Sequence, residues 1–419
     1  VKPLGKLLLL IVFVGLLAGG YRWYQGRSTV SGNGRGGVRL SRAAGDSGED
    51  TRQTTPGNDS GDNAPDTSAG SGGVGLPLLT SGSKNDWLAE QAKKFNDANR
   101  GKYHITIHLL ETREAFQAIL NDKEKPALWS PSSPIWAARL AQVWPQKHRD
   151  QEILDTGDDA TFGVFLRTPM VFLTTKAKAR TLRPLLEGAG GPWTALRDLS
   201  QGRRKMPSGS FRFAYADPVT SNSGFLTLGL ILADYAARTG QAGALDRAAN
   251  DPRFFAYLAE LHRGFVFDES VSKGTGAVTR AFATGALKCD LITTYESNAL
   301  AAAADNPNLA VIYPNPTAVA EQTVCALSAP YVSAEQRDGA RAFLAFLGSR
   351  EAQRDGLKFH QRPIRSAGGA LSLSSELSDY AGQGFRESFA SIELPSYNAL
   401  NAAAYQWRIH VARRSASLR

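Results

Sequence analysis

Cysteine is almost missing from this 419-residue chain, which has two. Two thiols cannot build the multi-bridge framework of small secreted domains, nor a zinc site of four thiolates. Sequence motifs for common catalytic sites are missing too. There is no H-E-x-x-H, no C-x-x-C and no G-x-S-x-G, and Gly101-Lys102 runs into Tyr103 without the rest of a phosphate loop. No paired acid and base or activated nucleophile stands out, so no catalytic residue is assigned. Neither a cofactor nor a metal is expected. Long apolar runs are scarce: one stretch near the start could span a bilayer, which excludes a multi-pass membrane protein. Charge is not concentrated. Lys and Arg number 48 against 39 Asp and Glu, a net +9 spread along the chain. That surplus permits mild attraction of anions but lacks the basic stripe of a nucleic-acid binder. What remains is ordinary globular composition, 42% hydrophobic and 21% charged.

The chain divides into three parts. In residues 1–27, Lys2 and Lys6 precede an apolar run from Leu7 to Ala18. This fits a signal peptide. An uncleaved anchor is favoured over it, because Tyr21, Trp23 and Tyr24 would form an interfacial belt with Arg22 and Arg27 beside them. Gly20 stands where a lipoprotein box would carry its lipidated cysteine, so lipid attachment there is excluded. Either reading exports the rest of the chain. Residues 28–75 are Gly, Ser, Thr, Asp and Asn with almost no large apolar side chain, the composition of a disordered linker. Two G-x-G-x-x-G matches, at Gly32 and Gly70, fall in this stretch without a strand before or a helix after, and are chance.

From Leu76 onward, strand and helix patterns alternate. Strands are expected at Leu76–Thr80, Tyr103–Leu109, Ala127–Trp129, Val164–Thr174 (interrupted at Pro169), Phe211–Ala216, Cys289–Tyr295 and Thr323–Ser328. Helices are expected from Lys84, near Phe116, from Pro134, from Gly224 and after Asp251-Pro252, and from the capping box at Ser333 to Gln336. This alternation predicts an α/β fold with mostly parallel sheets, too long for one core. His104 and His108 share a strand face, read as a polar surface. Cys289 and Cys325 lie in apolar strands and are expected to be free, buried thiols.

One pattern recurs three times: a strand, a serine-rich loop, then a helix. The loops are Ser81-Gly82-Ser83, Ser130-Pro131-Ser132-Ser133 and Asp217-Pro218-Val219-Thr220-Ser221-Asn222-Ser223. Each brings hydroxyls and unpartnered backbone N–H groups to the positive end of a helix dipole, which suits an anion. In open α/β sheets, ligands bind outside the carboxyl ends of strands, where these loops lie. The plainer alternative is that each serine only caps its helix.

With Thr294-Tyr295-Glu296, Pro330-Tyr331-Val332-Ser333, Ala342–Leu347 and His360-Gln361-Arg362-Pro363, these loops resemble a type 2 bacterial extracellular solute-binding protein. The similarity is to the branch related to molybdate and other oxyanion binders. It implies two α/β lobes with a ligand cleft between them and two crossing strands. Lobe 1 would comprise residues 76–169 and lobe 2 residues 170–314. Residues 315–419 would complete lobe 1 and add the C-terminal helices. By this resemblance Ser81, Ser83, Ser130 and Ser132 face the cleft from lobe 1, and Ser221, Asn222, Ser223, Tyr295 and Glu296 from lobe 2. Glu296 departs from an anion site, since an inward carboxylate would repel a doubly charged oxyanion unless paired. The resemblance implies a small-molecule or oxyanion ligand, an ABC permease partner, and a place on the extracytoplasmic side of the bacterial inner membrane, anchored or secreted. The linker leaves a second role open, a membrane-tethered sensing or interaction module without transport.

Overall fold

The computed structural model describes residues 73–149, 151–188, 190–207, 209–364 and 376–412. The expected membrane segment and nearly all of the linker lie outside the described residues. Among the described residues, no helix is long and apolar enough to cross a membrane.

The first sheet grows outward from β1 (Val74–Thr80), whose Leu76, Leu78 and Leu79 are buried. Its parallel neighbours are β2 (Tyr103–Leu109) and β3 (Leu128–Ser130). The connecting helix α1 (Asn85–Ala98) buries Trp87, Leu88, Ala92 and Phe95, the 3.6-residue stripe expected of it. Helices α2 (Thr112–Leu120) and α3 (Pro134–Lys147) follow β2 and β3. β2 is the edge strand, so Leu109 stays 60% exposed. His104 and His108 are exposed as well.

β4 (Phe162–Thr175) leaves this sheet for the next. Residues 162–169 pair with β8 (Val319–Ala326), and Met170 onward pairs with β6 (Leu291–Tyr295) and β7 (Leu309–Ile312). The strand is not interrupted at Pro169, contrary to expectation. Proline lacks an N–H, and it sits where one ladder ends and the other begins, so the missing donor is tolerated. The sheets are also less parallel than the alternation predicts. β4 and β8 run against their neighbours, making five antiparallel pairings beside three parallel ones.

The second lobe carries α4 (Lys176–Leu186), α5 (Pro192–Ser200), β5 (Phe213–Ala214), α6 (Asn222–Arg238), α7 (Pro252–Leu261), α8 (Thr275–Ala283) and α9 (Glu296–Asp305). α6 is buried on nearly every side, from Phe225 to Leu232. The chain then returns along β8 to α10 (Ala334–Leu347), α11 (Arg350–Lys358) and β9 (Arg362–Pro363) in the first lobe. Helix α12 (Tyr397–Trp407) lies on α6 of the second lobe. Its Trp407 is buried among Tyr215, Phe265 and Phe267. Its Tyr397 packs on Trp136 of α3 as well as Phe225 of α6, so this helix touches both lobes. Cys289 and Cys325 are buried free thiols, one in each lobe. Burial pushes the Cys289 thiol up to about 12.

Candidate functional site

Among the described residues, six helices start at the gap between the lobes: α1 with the short turn Gly82–Lys84 before it, α2, α3, α6, α8 and α9. The residues at their N-cap positions are Ser81 for the turn, Lys84, Glu111, Ser133, Ser221, Gly274 and Tyr295. None of them makes a side-chain capping hydrogen bond. Elsewhere the same chain caps with care. Thr175, Asp251, Ser333, Ser349 and Ser396 each accept a backbone N–H at the start of α4, α7, α10, α11 and α12. The serines at the gap are therefore not helix caps. Their hydroxyls, and the first-turn N–H groups behind them, remain available to something else.

These hydroxyls surround a small chamber of about 100 Å³. From the first lobe, Ser81, Ser83 and Ser132 line it, and Ser132 Oγ lies 2.9 Å from Ser81 Oγ and 3.4 Å from Ser83 Oγ. From the second lobe come Ser221, Asn222, Thr275 and Tyr295. Ser221 Oγ is 3.1 Å from Thr275 Oγ1. Asn222 clasps the two lobes together. Its Nδ2 donates to the Ser132 carbonyl (3.1 Å) and the Tyr295 hydroxyl (2.9 Å), and its Oδ1 accepts from Trp136 Nε1 (2.8 Å). Burial holds the Tyr295 hydroxyl well above the usual tyrosine range, so it stays a proton donor.

Three of the nine residues expected in the cleft do not line this chamber. Ser130 donates to the Thr323 carbonyl at 2.7 Å, which ties β3 to the neighbouring β8. Ser223 sits one layer behind, 2.7 Å from Thr275 Oγ1 and 3.2 Å from Ser221 Oγ. Glu296 is fully buried and turned away. Both its oxygens accept from Arg362, at 2.7 Å each, and Tyr313 donates to it too.

The chamber also holds residues that the strand–loop–helix pattern did not single out. Thr275 and Gly276 open α8, which follows a loop rather than a strand, so that pattern misses it. The Gly274-Thr275-Gly276 run, with Gly274 at φ 91°, is the signal that was there to find. Glu111, Lys273 and Arg280 bring charge. Burial raises the Glu111 carboxyl above its ordinary value. Ser83 and Arg280 also line a larger groove of about 740 Å³ that continues from the chamber between α1, α8, α9 and the end of α11. Among the described residues, no group of three or more His, Cys, Asp or Glu side chains could hold a metal ion.

Two α/β lobes, two strands crossing between them and a polar chamber at the crossing define a two-lobed periplasmic-binding-protein fold. The chain belongs to the bacterial extracellular solute-binding protein family, whose model matches residues 76–354. Among solved structures it is similar to the sulfate-binding protein SubI from Mycobacterium tuberculosis H37Rv, at 15% identity and a TM-score of 0.53 over 81% of this chain and 99% of that one. It is similar to a periplasmic thiamin binding protein at 16% identity and a TM-score of 0.56, over 80% and 96% of the two chains. It also resembles AfuA from Actinobacillus pleuropneumoniae, solved with fructose-6-phosphate, at 14% identity and a TM-score of 0.54, over 81% and 97%. A search of curated protein sequences finds no match.

Proposed function

We propose that this protein captures a small oxyanion between its lobes, outside the cytoplasmic membrane, and delivers it to an ABC-type permease. One observation carries the reading: hydroxyls from both lobes and uncapped helix N-termini converge on a chamber of about 100 Å³. Hydroxyls and backbone N–H groups donate to an anion without requiring a full counter-charge, and the helix dipoles add to them. Sites for drug-sized ligands run about 300–1,000 Å³, so the chamber suits a compact ion better than a whole vitamin or sugar. Glu111 opposes a negative charge. Burial raises its carboxyl above the ordinary value, and Lys273 and Arg280 line the same chamber with positive charge. Residues 1–27 would direct export or anchor the protein, with the following stretch as a spacer.

Thermal melts of the full chain with sulfate, molybdate, phosphate, thiamin and fructose 6-phosphate test this. An oxyanion at a hundredfold excess over its Kd should stabilise the fold by about 2.7 kcal/mol. A shift with thiamin or the sugar and none with any oxyanion would contradict the reading.

A further inference from the structure

Lys84 ends the first serine loop, and only 3% of its surface is exposed. An ammonium carries three donors. The hydrogen bond found for this one runs to Ser132 Oγ at 3.3 Å, and among the described residues no carboxylate lies within ion-pair distance of it. Even partly exposed lysines of this protein are paired: Lys94 and Lys178, about a third exposed, each hold an aspartate within 2.8 Å. A buried cation without a carboxylate partner is unfavourable unless something else supplies the negative charge.

Its position says where that charge would come from. Lys84 lies in the wall between the chamber and the adjoining groove, and it donates to a hydroxyl that lines the chamber. With its oxygen accepting from Lys84, the Ser132 hydroxyl keeps its own proton to donate, to Ser81 Oγ at 2.9 Å or to an anion in the chamber. We propose that Lys84 is the residue that selects for charge: it acts through Ser132 as the counter-ion of a bound dianion. This rests on the oxyanion reading above and adds to it that binding draws a proton onto Lys84.

The surroundings agree. Glu111, at the start of α2, attracts the ammonium from beyond ion-pair distance, and Cys325 of β8 faces it as a thiol that burial keeps protonated. Asp86, Arg280, Lys358 and His360 face the groove it lines. Burial outweighs the pull of Glu111 and brings Lys84 from 10.5 down to about 7. Near neutral pH the empty site is therefore partly uncharged, and an anion shifts it to the charged form.

Calorimetric titration of the full chain with sulfate and with molybdate, in buffers of different ionisation heat, tests this. Neither anion takes up a proton in this range, so any proton bound belongs to the protein. The expected result is uptake of part of a proton per anion at neutral pH, and affinity falling up to about tenfold per pH unit above about pH 7. Lys84→Met should weaken binding at least roughly tenfold and abolish the pH dependence. Lys84→Arg, which cannot lose its proton, should bind without that dependence. Buffer-independent heats in the wild type, or a Lys84→Met protein with wild-type affinity, would overturn the role of Lys84. If Lys84→Met fails to fold, the wild-type heats decide alone. Binding of neither anion by a folded wild type would overturn the oxyanion reading itself.

Discussion

Glu296 has no solvent: none of its surface is exposed. A lone carboxylate there would not stay charged. It is paired because β9 brings Arg362 from the first lobe onto the first turn of α9 in the second, where both guanidinium bonds run to it. Arg362 is satisfied further by the carbonyls of Arg386 and Glu387, and flanked by Phe385 and Phe389. The pair thus joins the lobes beside the crossing strands without lining the chamber. Removing one member of a buried pair costs about 3–5 kcal/mol, because it strands the other charge. Glu296→Gln should therefore lower stability by about that much in urea unfolding while leaving anion affinity within a few-fold of wild type. An unchanged unfolding midpoint would show that the pair is dispensable. The residue was visible in the sequence as a charge near the cleft. Its direction was not, because the partner lies 66 residues further on, at a spacing no local pattern reports.

At the scale of elements, strong local signals act where they stand in the sequence. The Asp251 cap and the Ser333 capping box both form as their spacing predicts. The expected strand at Phe211–Ala216 pairs only over Phe213–Ala214, because the chain leaves the sheet there to reach α6. Gly224 explains that geometry. A Cβ on it would collide with the Ala216 carbonyl oxygen and with the backbone of Pro218. Only glycine lets α6 start this close to the strand, and the approach positions Ser221 and Asn222 at the chamber. Gly224→Ala should push α6 outward, destabilise the fold by a few kcal/mol and weaken anion binding together. Urea melts and a titration on the same protein check this. A variant as stable as wild type and with wild-type affinity would show that the close approach does not position the loop. α8 was missed for the opposite reason, since its start has no strand before it.

For the whole molecule, two lobes and a cleft were legible through the resemblance to solute-binding proteins, whereas the serine loops by themselves pointed only to the carboxyl ends of the strands. The C-terminal segment was not legible, because residues 376–396 have neither period. Their bonds are instead to the return crossing, where Thr317 exchanges backbone hydrogen bonds with Ala390 and Ile392. Further contacts cross the same region: Gln361 donates to the Ser83 carbonyl and to Ser297 Oγ, at 3.2 Å each. The lobes are thus joined both behind the chamber and through Asn222 at its wall, and a ligand touching hydroxyls of both would tighten the same interface.

The most direct measurement is an equilibrium titration of sulfate and molybdate against wild type, Ser83→Ala and Ser221→Ala, one substitution from each lobe. A hydrogen bond to a charged group is worth ~1.5–3 kcal/mol, so each variant should bind roughly tenfold or more weakly. Neither serine caps a helix, so thermal stability without ligand should hardly change. Wild-type affinity in both variants would contradict an anion held by the hydroxyls of the two lobes.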